Sequence, residues 1–332
     1  MLLRISHETK LSYTAPVSET VFEVRMAPAT DEDQTTLGYR LKTTPASPVT
    51  SYRDGLGNRV DLFNISKPYE ELVILATSYV RTHRRSPQVR LGQAQGLIAE
   101  GPVAVEATEF LAPSDLADRS DAIDAFVAGL PRPLPGDLGA DYVQGLMDAV
   151  AARLKFESKV TQTRTKASEA FDLGLGVCQD FSHLFIAACR GVGLPARYVS
   201  GYVNHPGELA THAWAQVWGG DRAGWVDVDP TTGKFVADDH VAIGFGRDYS
   251  DVPPNRGLWK GRAEETINVA VKVEPVDRVP MEWNEWSTPN RSSGGMFQSQ
   301  RMGSMSQRQG RPPYPNQRGQ HSGLVQQQGE QQ

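Results

Sequence analysis

Cys178 lies in a sequence context that favours a reactive thiol. It follows the glycine-rich turn 174–177 and opens a segment with helical spacing. At the start of a helix, unpaired backbone N–H groups and the positive end of the helix dipole stabilise a thiolate. The same N–H groups can hold the oxyanion that forms when a thiolate attacks a carbonyl. Free cysteines are more often small buried residues, and this segment alone leaves that alternative open.

A thiol nucleophile needs a base and a third group that orients the base. His212 lies in the segment 211–218, where tryptophan and glutamine alternate with alanine and valine, a pattern that predicts a strand. Six loop residues separate it from Trp225-Val226-Asp227-Val228-Asp229, which has the same alternation. The two segments therefore predict a hairpin that carries a histidine on one strand and two aspartates on the other.

The two strand-end tryptophans suggest the register of this hairpin, which sets these residues opposite each other: Trp218 and Trp225, Gln216 and Asp227, Trp214 and Asp229. Asp229 is then one diagonal step from His212, and Asp227 is two steps away. Diagonal neighbours lie about 7–8 Å apart at the backbone, within side-chain reach. We predict that Asp229 orients His212, with Asp227 as the second choice. A packed histidine between tryptophans and an ordinary strand-end turn are the competing interpretations.

Other candidate groups have weaker contexts. His183 lies on a different helical face from Cys178 and is expected to be structural or exposed. His205 and His240 fall in predicted loops without a partner. The run Asp238-Asp239-His240 offers too few ligands to predict a metal site, and no metal or cofactor is expected.

The secondary structure that must position these residues is predicted to differ between regions of the chain. Residues 1–90 are predicted as a β-sandwich-like domain, because short β-rich runs alternate with turn residues. Residues 91–160 are predicted as a helical connecting region, and 161–280 as the core, with a helix over about 178–190 ended by Gly191 and a strand over 196–203. Residues 281–332 are rich in Gln, Ser, Gly, Arg and Pro and predict a disordered tail.

Composition limits the function classes. A length of 332 residues allows two domains, or one large domain with a tail. The net charge of −5 disfavours nucleic-acid binding and attachment to anionic membranes. The first residues predict a strand rather than a signal peptide, and Cys178 and Cys189, in one helix about 16 Å apart, predict free thiols. We therefore expect a cytoplasmic location, with Cys189 as a core residue.

Four short motifs, in this order, resemble the transglutaminase-like superfamily: Gly176-Val177-Cys178-Gln179-Asp180-Phe181, Gly193-Leu194-Pro195-Ala196-Arg197-Tyr198-Val199-Ser200-Gly201-Tyr202, His212-Ala213-Trp214 and Gly224-Trp225-Val226-Asp227-Val228-Asp229-Pro230-Thr231. Residues 1–90 are similar to the N-terminal β domain of its bacterial branch, and 244–254 to the segment after its core. The resemblance covers about residues 1–280. It implies an α+β fold with a papain-like core, in which a helix presents the cysteine to an antiparallel sheet.

The resemblance also implies a function. Cys178, His212 and Asp229 match the family's Cys-His-Asp triad, and Asp180, Asp227 and Trp214 are candidate supporting residues. The implied activity is cysteine-dependent attack on an amide of a protein or peptide substrate, with a thioester intermediate. Hydrolysis by water would make the protein a peptidase or amidase, which we favour. Transfer to a lysine amine would make it a crosslinking transamidase, and a non-catalytic binding module with an unused triad is the third alternative.

Overall fold

The structure is a computed structural model that describes residues 1–92, 105–131, 139–204 and 211–284, together with the backbone of 322–326. Its strands are β1 (Leu2–Val24), β2 (Gln34–Thr44), β3 (Val49–Arg53), β4 (Arg59–Ile65), β5 (Tyr69–Thr82), β6 (Lys155–Phe156), β7 (Leu175–Gly176), β8 (Ala196–Val203), β9 (Thr211–Trp218), β10 (Trp225–Asp229), β11 (Lys234–Phe235), β12 (His240–Gly246), β13 (Asn255–Lys260), β14 (Glu265–Pro275) and β15 (Ser322–Gln326).

All the helices that the structure describes follow β5 in the chain. They are α1 (Pro87–Gly92), α2 (Val105–Thr108), α3 (Asp121–Ala128), α4 (Gly139–Arg153), α5 (Ala167–Leu173), α6 (Cys178–Gly191), α7 (Gly220–Ala223) and α8 (Met281–Asn284). Short 3₁₀ turns cover Glu109–Leu111 and Tyr249–Asp251. Among the described residues, no helix has the length and apolar character needed to cross a membrane.

The long strand β1 organises the N-terminal part of the molecule. Its first half pairs with β5 on one side and β14 on the other, and its second half pairs with β4 and β13. The two halves curl over a common core, because alternate side chains of each strand point inward. This core includes Leu11, Phe22, Phe63, Ile74 and Trp259.

Strands β13 and β14 belong to this N-terminal sheet, although the sequence predicts residues 161–280 as the core. β14 pairs with β1 from Leu3 opposite Pro275 to Tyr13 opposite Glu265. The alternating pattern of β14 reveals a strand but not its partner, because antiparallel partners can lie anywhere along the chain. The end of the predicted core therefore completes the sheet of residues 1–90.

The second half of the molecule packs helices on an antiparallel sheet of order β11-β10-β9-β8-β12. Helix α6 lies on this sheet, with α4 and α5 against it. Its buried face contributes Phe181, Leu184 and Phe185 to the core. The predicted strand over 196–203 is confirmed by β8. Helix α6 ends at Gly191, in agreement with the prediction, and the left-handed turn after it occurs at Gly193, with φ of 85°.

The tail differs from the sequence prediction at its first residues. Helix α8 places Trp283 against Tyr79, with ring centroids 5.0 Å apart, and under the Arg40 guanidinium, 4.5 Å from the ring. This indole is 8% exposed, because residues of β2 and β5 cover it. The backbone of strand β15 pairs antiparallel with β13. The prediction of disorder for 285–321 and 327–332 lies outside the described residues.

Candidate active site

Cys178 is the first residue of helix α6, and the turn before it is closely constrained. The Asp180 carboxylate accepts the backbone N–H of Val177 at 2.8 Å and the hydroxyl of Thr161 at 2.6 Å. A Cβ at Gly176 would lie 2.6 Å from the Asp180 Cβ, so only glycine allows this approach. The first turn of α6 is thereby held in place, and Asp180 acts on the helix start.

Two further hydrogen bonds hold the start of α6. The Ser182 hydroxyl donates to the carbonyl of Cys178 at 2.8 Å. The Gln179 amide donates to the carbonyl of Thr163 at 3.1 Å. Cys178 itself is 8% exposed, so its thiol lies at the edge of the core rather than in open solvent.

Strands β9 and β10 pair in the predicted register, with Trp218 opposite Trp225 and Gln216 opposite Asp227. This pairing brings His212 to Asp229, with 3.0 Å between Nε2 of the imidazole and the carboxylate Oδ2. The Cys178 thiol lies near the same imidazole and contributes to raising its pKa. Because Nε2 faces Asp229, Nδ1 is the ring nitrogen available to the thiol.

The Asp229 carboxylate is held by more than the imidazole. Its Oδ1 accepts the backbone N–H of Thr231 at 3.0 Å, and its Oδ2 accepts the hydroxyl of Thr232 at 2.9 Å. The turn after β10 therefore provides the donors that orient this carboxylate. Asp229 is 1% exposed, so these bonds replace the water that it loses on folding.

The electrostatic environment of His212 and Asp229 favours the ionised form of both side chains. Burial alone would lower the pKa of His212, but the hydrogen bond to Asp229 and the nearby Cys178 outweigh it and raise this pKa to about 10. Burial would raise the pKa of Asp229, but the hydrogen bonds with His212 and Thr232, together with the nearby His240 imidazole, hold it well below its usual range. At neutral pH the site therefore holds an imidazolium against a carboxylate.

Asp227, the second choice for the orienting carboxylate, has other partners. Its Oδ1 accepts the indole N–H of Trp214 at 2.6 Å. Its Oδ2 accepts from the Arg84 guanidinium at 2.7 Å, in a pair that is almost fully buried. Asp227 thus connects the core sheet to the segment after β5, and it positions Trp214.

Trp214 forms one wall beside the imidazole. It is fully buried and lies nearly parallel to the His212 ring, with centroids 6.2 Å apart and an angle of 27° between the planes. A Cβ at Gly201, on the neighbouring strand β8, would lie 2.2 Å from the Trp214 ring. The indole therefore occupies the space that this glycine leaves open.

His240 is the site residue that the sequence reasoning missed. It begins strand β12, its Nδ1 lies 2.7 Å from the Asp239 carboxylate, and its Nε2 lies 3.9 Å from Asp229 Oδ2. Burial would lower its pKa, but Asp229 and Asp239 outweigh this and raise it. The only sequence signal was a histidine at the start of an apolar run, and that signal does not reveal which strand lies beside it.

The remaining candidates lie away from this cluster. His183 is fully buried on α6, and its Nε2 accepts the backbone N–H of Tyr249 at 3.2 Å, a structural role as expected. Cys189 is fully buried, and burial raises the pKa of its thiol. The prediction for His205 falls outside the described residues.

The structure has a cysteine at the start of a helix, facing an antiparallel sheet that carries a histidine and an aspartate. The sequence motifs imply the same arrangement. The transglutaminase-like superfamily model matches residues 126–230, and the model of the bacterial transglutaminase-like N-terminal region matches residues 3–81. The chain belongs to the transglutaminase-like superfamily, with the N-terminal region of its bacterial members.

Two mycobacterial relatives match most of the chain. An uncharacterized protein of Mycobacterium tuberculosis is 31% identical over 301 residues, which cover 82% of this chain and 93% of that protein. An uncharacterized protein of Mycobacterium leprae is 29% identical over 285 residues, which cover 82% of this chain and 98% of that protein.

A crystal structure supports the fold. A candidate cysteine protease from Cytophaga hutchinsonii is 22% identical, with a TM-score of 0.66 over 84% of this chain and 93% of that chain. The predicted α+β fold with a transglutaminase-like core is therefore confirmed.

Proposed function

We propose that the protein is a cysteine-dependent enzyme that cleaves amide bonds of protein or peptide substrates. The observation that carries this proposal is the position of His212, whose imidazole is hydrogen-bonded to Asp229 and lies near Cys178, which helps to raise its pKa. A buried imidazole in this position can take the thiol proton and return it to a leaving group. The geometry supports a reactive thiolate rather than an inert core cysteine.

In the resting ion pair the proton of Cys178 resides on His212, and in the acylation step the thiolate attacks the substrate carbonyl carbon. The backbone N–H groups at the start of α6 are placed to stabilise the resulting oxyanion. The oxyanion then collapses, the C–N bond breaks, and His212 gives its proton to the departing amine. Asp229 keeps the Nε2–H of the imidazole in place throughout.

The product of this step is a thioester on Cys178, which either water or an amine can resolve. Water, deprotonated by His212, would release a carboxylic acid and regenerate the thiol. We favour this hydrolytic outcome, which agrees with the description of the Cytophaga hutchinsonii protein. Attack by a lysine amine would instead form a new amide bond, and the experiment below distinguishes the two.

Protein or peptide chains are the partners that we propose, because the net charge of −5 disfavours nucleic acid and anionic lipid surfaces. We also propose a reducing compartment, the cytoplasm, as the location. Both cysteines, Cys178 and Cys189, are buried free thiols, which is typical of proteins from such compartments. Cell fractionation would contradict this location if the protein were recovered outside the cytoplasmic fraction.

The decisive experiment incubates the protein with casein and a labelled primary amine, and follows new peptide termini and label by mass spectrometry. Cys178→Ala is the test variant, and Cys189→Ala is the matched control because it removes the other thiol, which lies away from the cluster. New termini without label, lost only in Cys178→Ala, support the hydrolase. Label incorporation that depends on Cys178 supports the transamidase instead.

A second measurement covers the case in which casein is not a substrate. Iodoacetamide reacts with thiolates, so its rate with Cys178 at neutral pH reports the activated thiol directly. We expect fast alkylation in the wild type and slow alkylation in His212→Ala. Slow alkylation in both proteins would overturn the proposal and favour a non-catalytic binding module.

A further inference from the structure

His212, Asp229 and His240 form a cluster of three ligand-type groups, called here the His-Asp-His cluster. One ligand atom of each residue, an imidazole nitrogen of each histidine and a carboxylate oxygen of Asp229, lies within 4.8 Å of the other two. The shortest separations are 3.0 Å from His212 and 3.9 Å from His240, both to Asp229 Oδ2. The three groups come from three different strands, so the folded sheet alone brings them together.

His240 is the unusual member of this cluster. Its side chain is about nine-tenths buried, and its Nε2 has no hydrogen-bond partner among the residues that the structure describes. A buried polar atom without a partner is unfavourable unless a water, a ligand or an ion satisfies it. Nδ1 is held by the Asp239 carboxylate at 2.7 Å, so Nε2 is directed toward Asp229. Histidines that bind metals are commonly oriented by a carboxylate on the other ring nitrogen in this way.

The chemistry of the donors selects the ion. Two imidazole nitrogens and one carboxylate oxygen suit Zn²⁺, whereas Ca²⁺ and Mg²⁺ prefer oxygen ligands. Zinc bonds of about 2.0–2.2 Å place neighbouring ligand atoms about 3.4 Å apart, which lies within the range of separations in the cluster. Three protein ligands leave a fourth position for water. We propose that the His-Asp-His cluster binds Zn²⁺ reversibly and that this binding inactivates Cys178.

Zinc binding would inactivate Cys178 because the metal ion and a proton compete for one atom, Nε2 of His212. Zn²⁺ would bind the Nε2 lone pair of His212, so the proton on that nitrogen is released to solvent. The metal-bound imidazole is then no longer free to take up the proton of Cys178 and remain an imidazolium beside Asp229. Asp229 would likewise ligate the ion instead of accepting the imidazole N–H. The metal and the thiolate–imidazolium pair therefore exclude each other, because both need His212.

Binding is tested first, because it does not depend on the proposed function. Zinc chloride is titrated by calorimetry into full-length Cys178→Ala protein, which removes the thiol as a ligand. We expect one site per chain, weakened about 100-fold or more when His240→Ala is added. His83→Ala is the matched control, because it removes an exposed histidine outside the cluster and should leave binding unchanged. His240→Gln, which keeps most of the side-chain volume, replaces His240→Ala if that variant fails to fold.

The inhibitory consequence rests on the proposed function and has its own measurement. We expect saturating Zn²⁺ to slow iodoacetamide alkylation of Cys178 at least tenfold, with recovery on adding EDTA. In His240→Ala, compared with its own zinc-free rate, the same zinc concentration should have little effect. Equal zinc inhibition in both proteins would show that zinc binds the thiolate directly and would overturn the proposal. Zinc binding that depends on His240, in a protein whose alkylation does not depend on His212, would leave the metal site standing and remove the proposed function.

Discussion

Helix α6 carries one histidine, His183, and packs against strand β9, which carries another, His212; their surroundings shift the two pKa values in opposite directions. His183 accepts a backbone N–H from Tyr249, and burial lowers its pKa to about 4. The His212 side chain is only 9% exposed, but the hydrogen bond to Asp229 and the nearby Cys178 raise its pKa to about 10. Burial is similar, so the partners decide the charge: a donor occupies the lone pair of one ring, and a carboxylate stabilises the proton of the other.

Replacing the two histidines in parallel tests this contrast most strongly. His212→Ala should slow alkylation of Cys178 and amide cleavage by about 10⁴-fold, because the base that ionises the thiol is lost. His183→Ala should leave the alkylation rate nearly unchanged and lower the free energy of unfolding by about 2–4 kcal/mol, through a cavity and an unpaired Tyr249 N–H. Iodoacetamide kinetics and urea denaturation measure the two effects. Comparable loss of thiol reactivity in both variants would contradict the contrast.

The two aspartates of strand β10 allow a second comparison, between an expected loss of activity and an expected loss of stability. Asp229→Asn should lower activity about 10³-fold, because the amide no longer stabilises the imidazolium or fixes its tautomer. Asp227→Asn should act on stability instead, by about 3 kcal/mol, because it removes the nearer charge partner of the buried Arg84 guanidinium and leaves only Asp33, at 3.8 Å. Activity assays corrected for the folded fraction separate the two effects. The assignment of Asp229 fails if Asp227→Asn is the more damaging change for activity.

Local patterns explain why the sequence predicted Cys178 at the start of a helix and His212 and Asp229 on two paired strands. The strand alternation of 211–218 and 225–229, with a tryptophan at each end of the connecting loop, defines the hairpin register within about twenty residues. The glycine-rich turn before Cys178 is equally local, and Gly176 is needed because the Asp180 side chain packs where a Cβ would be. Such features depend on residues that are close together in the chain.

Features that depend on segments far apart in the chain could not be predicted from such local patterns. His240 reaches the site because β12 pairs with β8, and β8 separates it from β9. The 23-residue strand β1 pairs with β14, more than 250 residues away at their outer ends, and β14 carries the same alternation as any half-buried strand. Periodicity identifies such strands, but their partners are chosen by the packing of the whole molecule.

The pH dependence of stability gives a third test of the two histidine environments. His183 has a folded pKa of about 4 and an unfolded value near 6.5, so its contribution is present above pH 6.5 and is lost as the pH falls toward 4. His212 is the reverse, because its folded pKa of about 10 gives a contribution that is present below pH 6.5 and is lost as the pH rises toward 10.

Urea denaturation of the wild type and of His183→Gln from pH 7 to pH 4 measures the stability that His183 loses at acidic pH. The wild type should lose about 3 kcal/mol more than the variant over this range, because the unfolded chain takes up a proton that the folded chain excludes. His7, which burial also holds neutral, is present in both proteins and cancels in the comparison. Parallel curves for the two proteins would show that His183 is not the group responsible.

The smallest expected effect concerns Asp180, which lies only two residues from Cys178. Its Oδ2 holds the Val177 N–H and the Thr161 hydroxyl, and its Oδ1 has no hydrogen-bond partner among the described residues. In Asp180→Asn the amide oxygen can keep the first two bonds, while the buried amide nitrogen lacks an acceptor. We expect a loss of about 1–2 kcal/mol in unfolding free energy, measured by urea denaturation.

The alkylation rate of Cys178 in Asp180→Asn separates a capping residue from a catalytic one. Because this carboxylate faces the turn before α6 rather than His212, the rate should change less than tenfold, far below the effect of Asp229→Asn. Asp180→Ala, which removes both hydrogen bonds, should lower stability further and let the first turn of α6 loosen. If Asp180→Asn slowed alkylation as much as Asp229→Asn, the carboxylate would be acting on the thiol or its base. The division between residues that build the helix start and residues that ionise the thiol would then have to be redrawn.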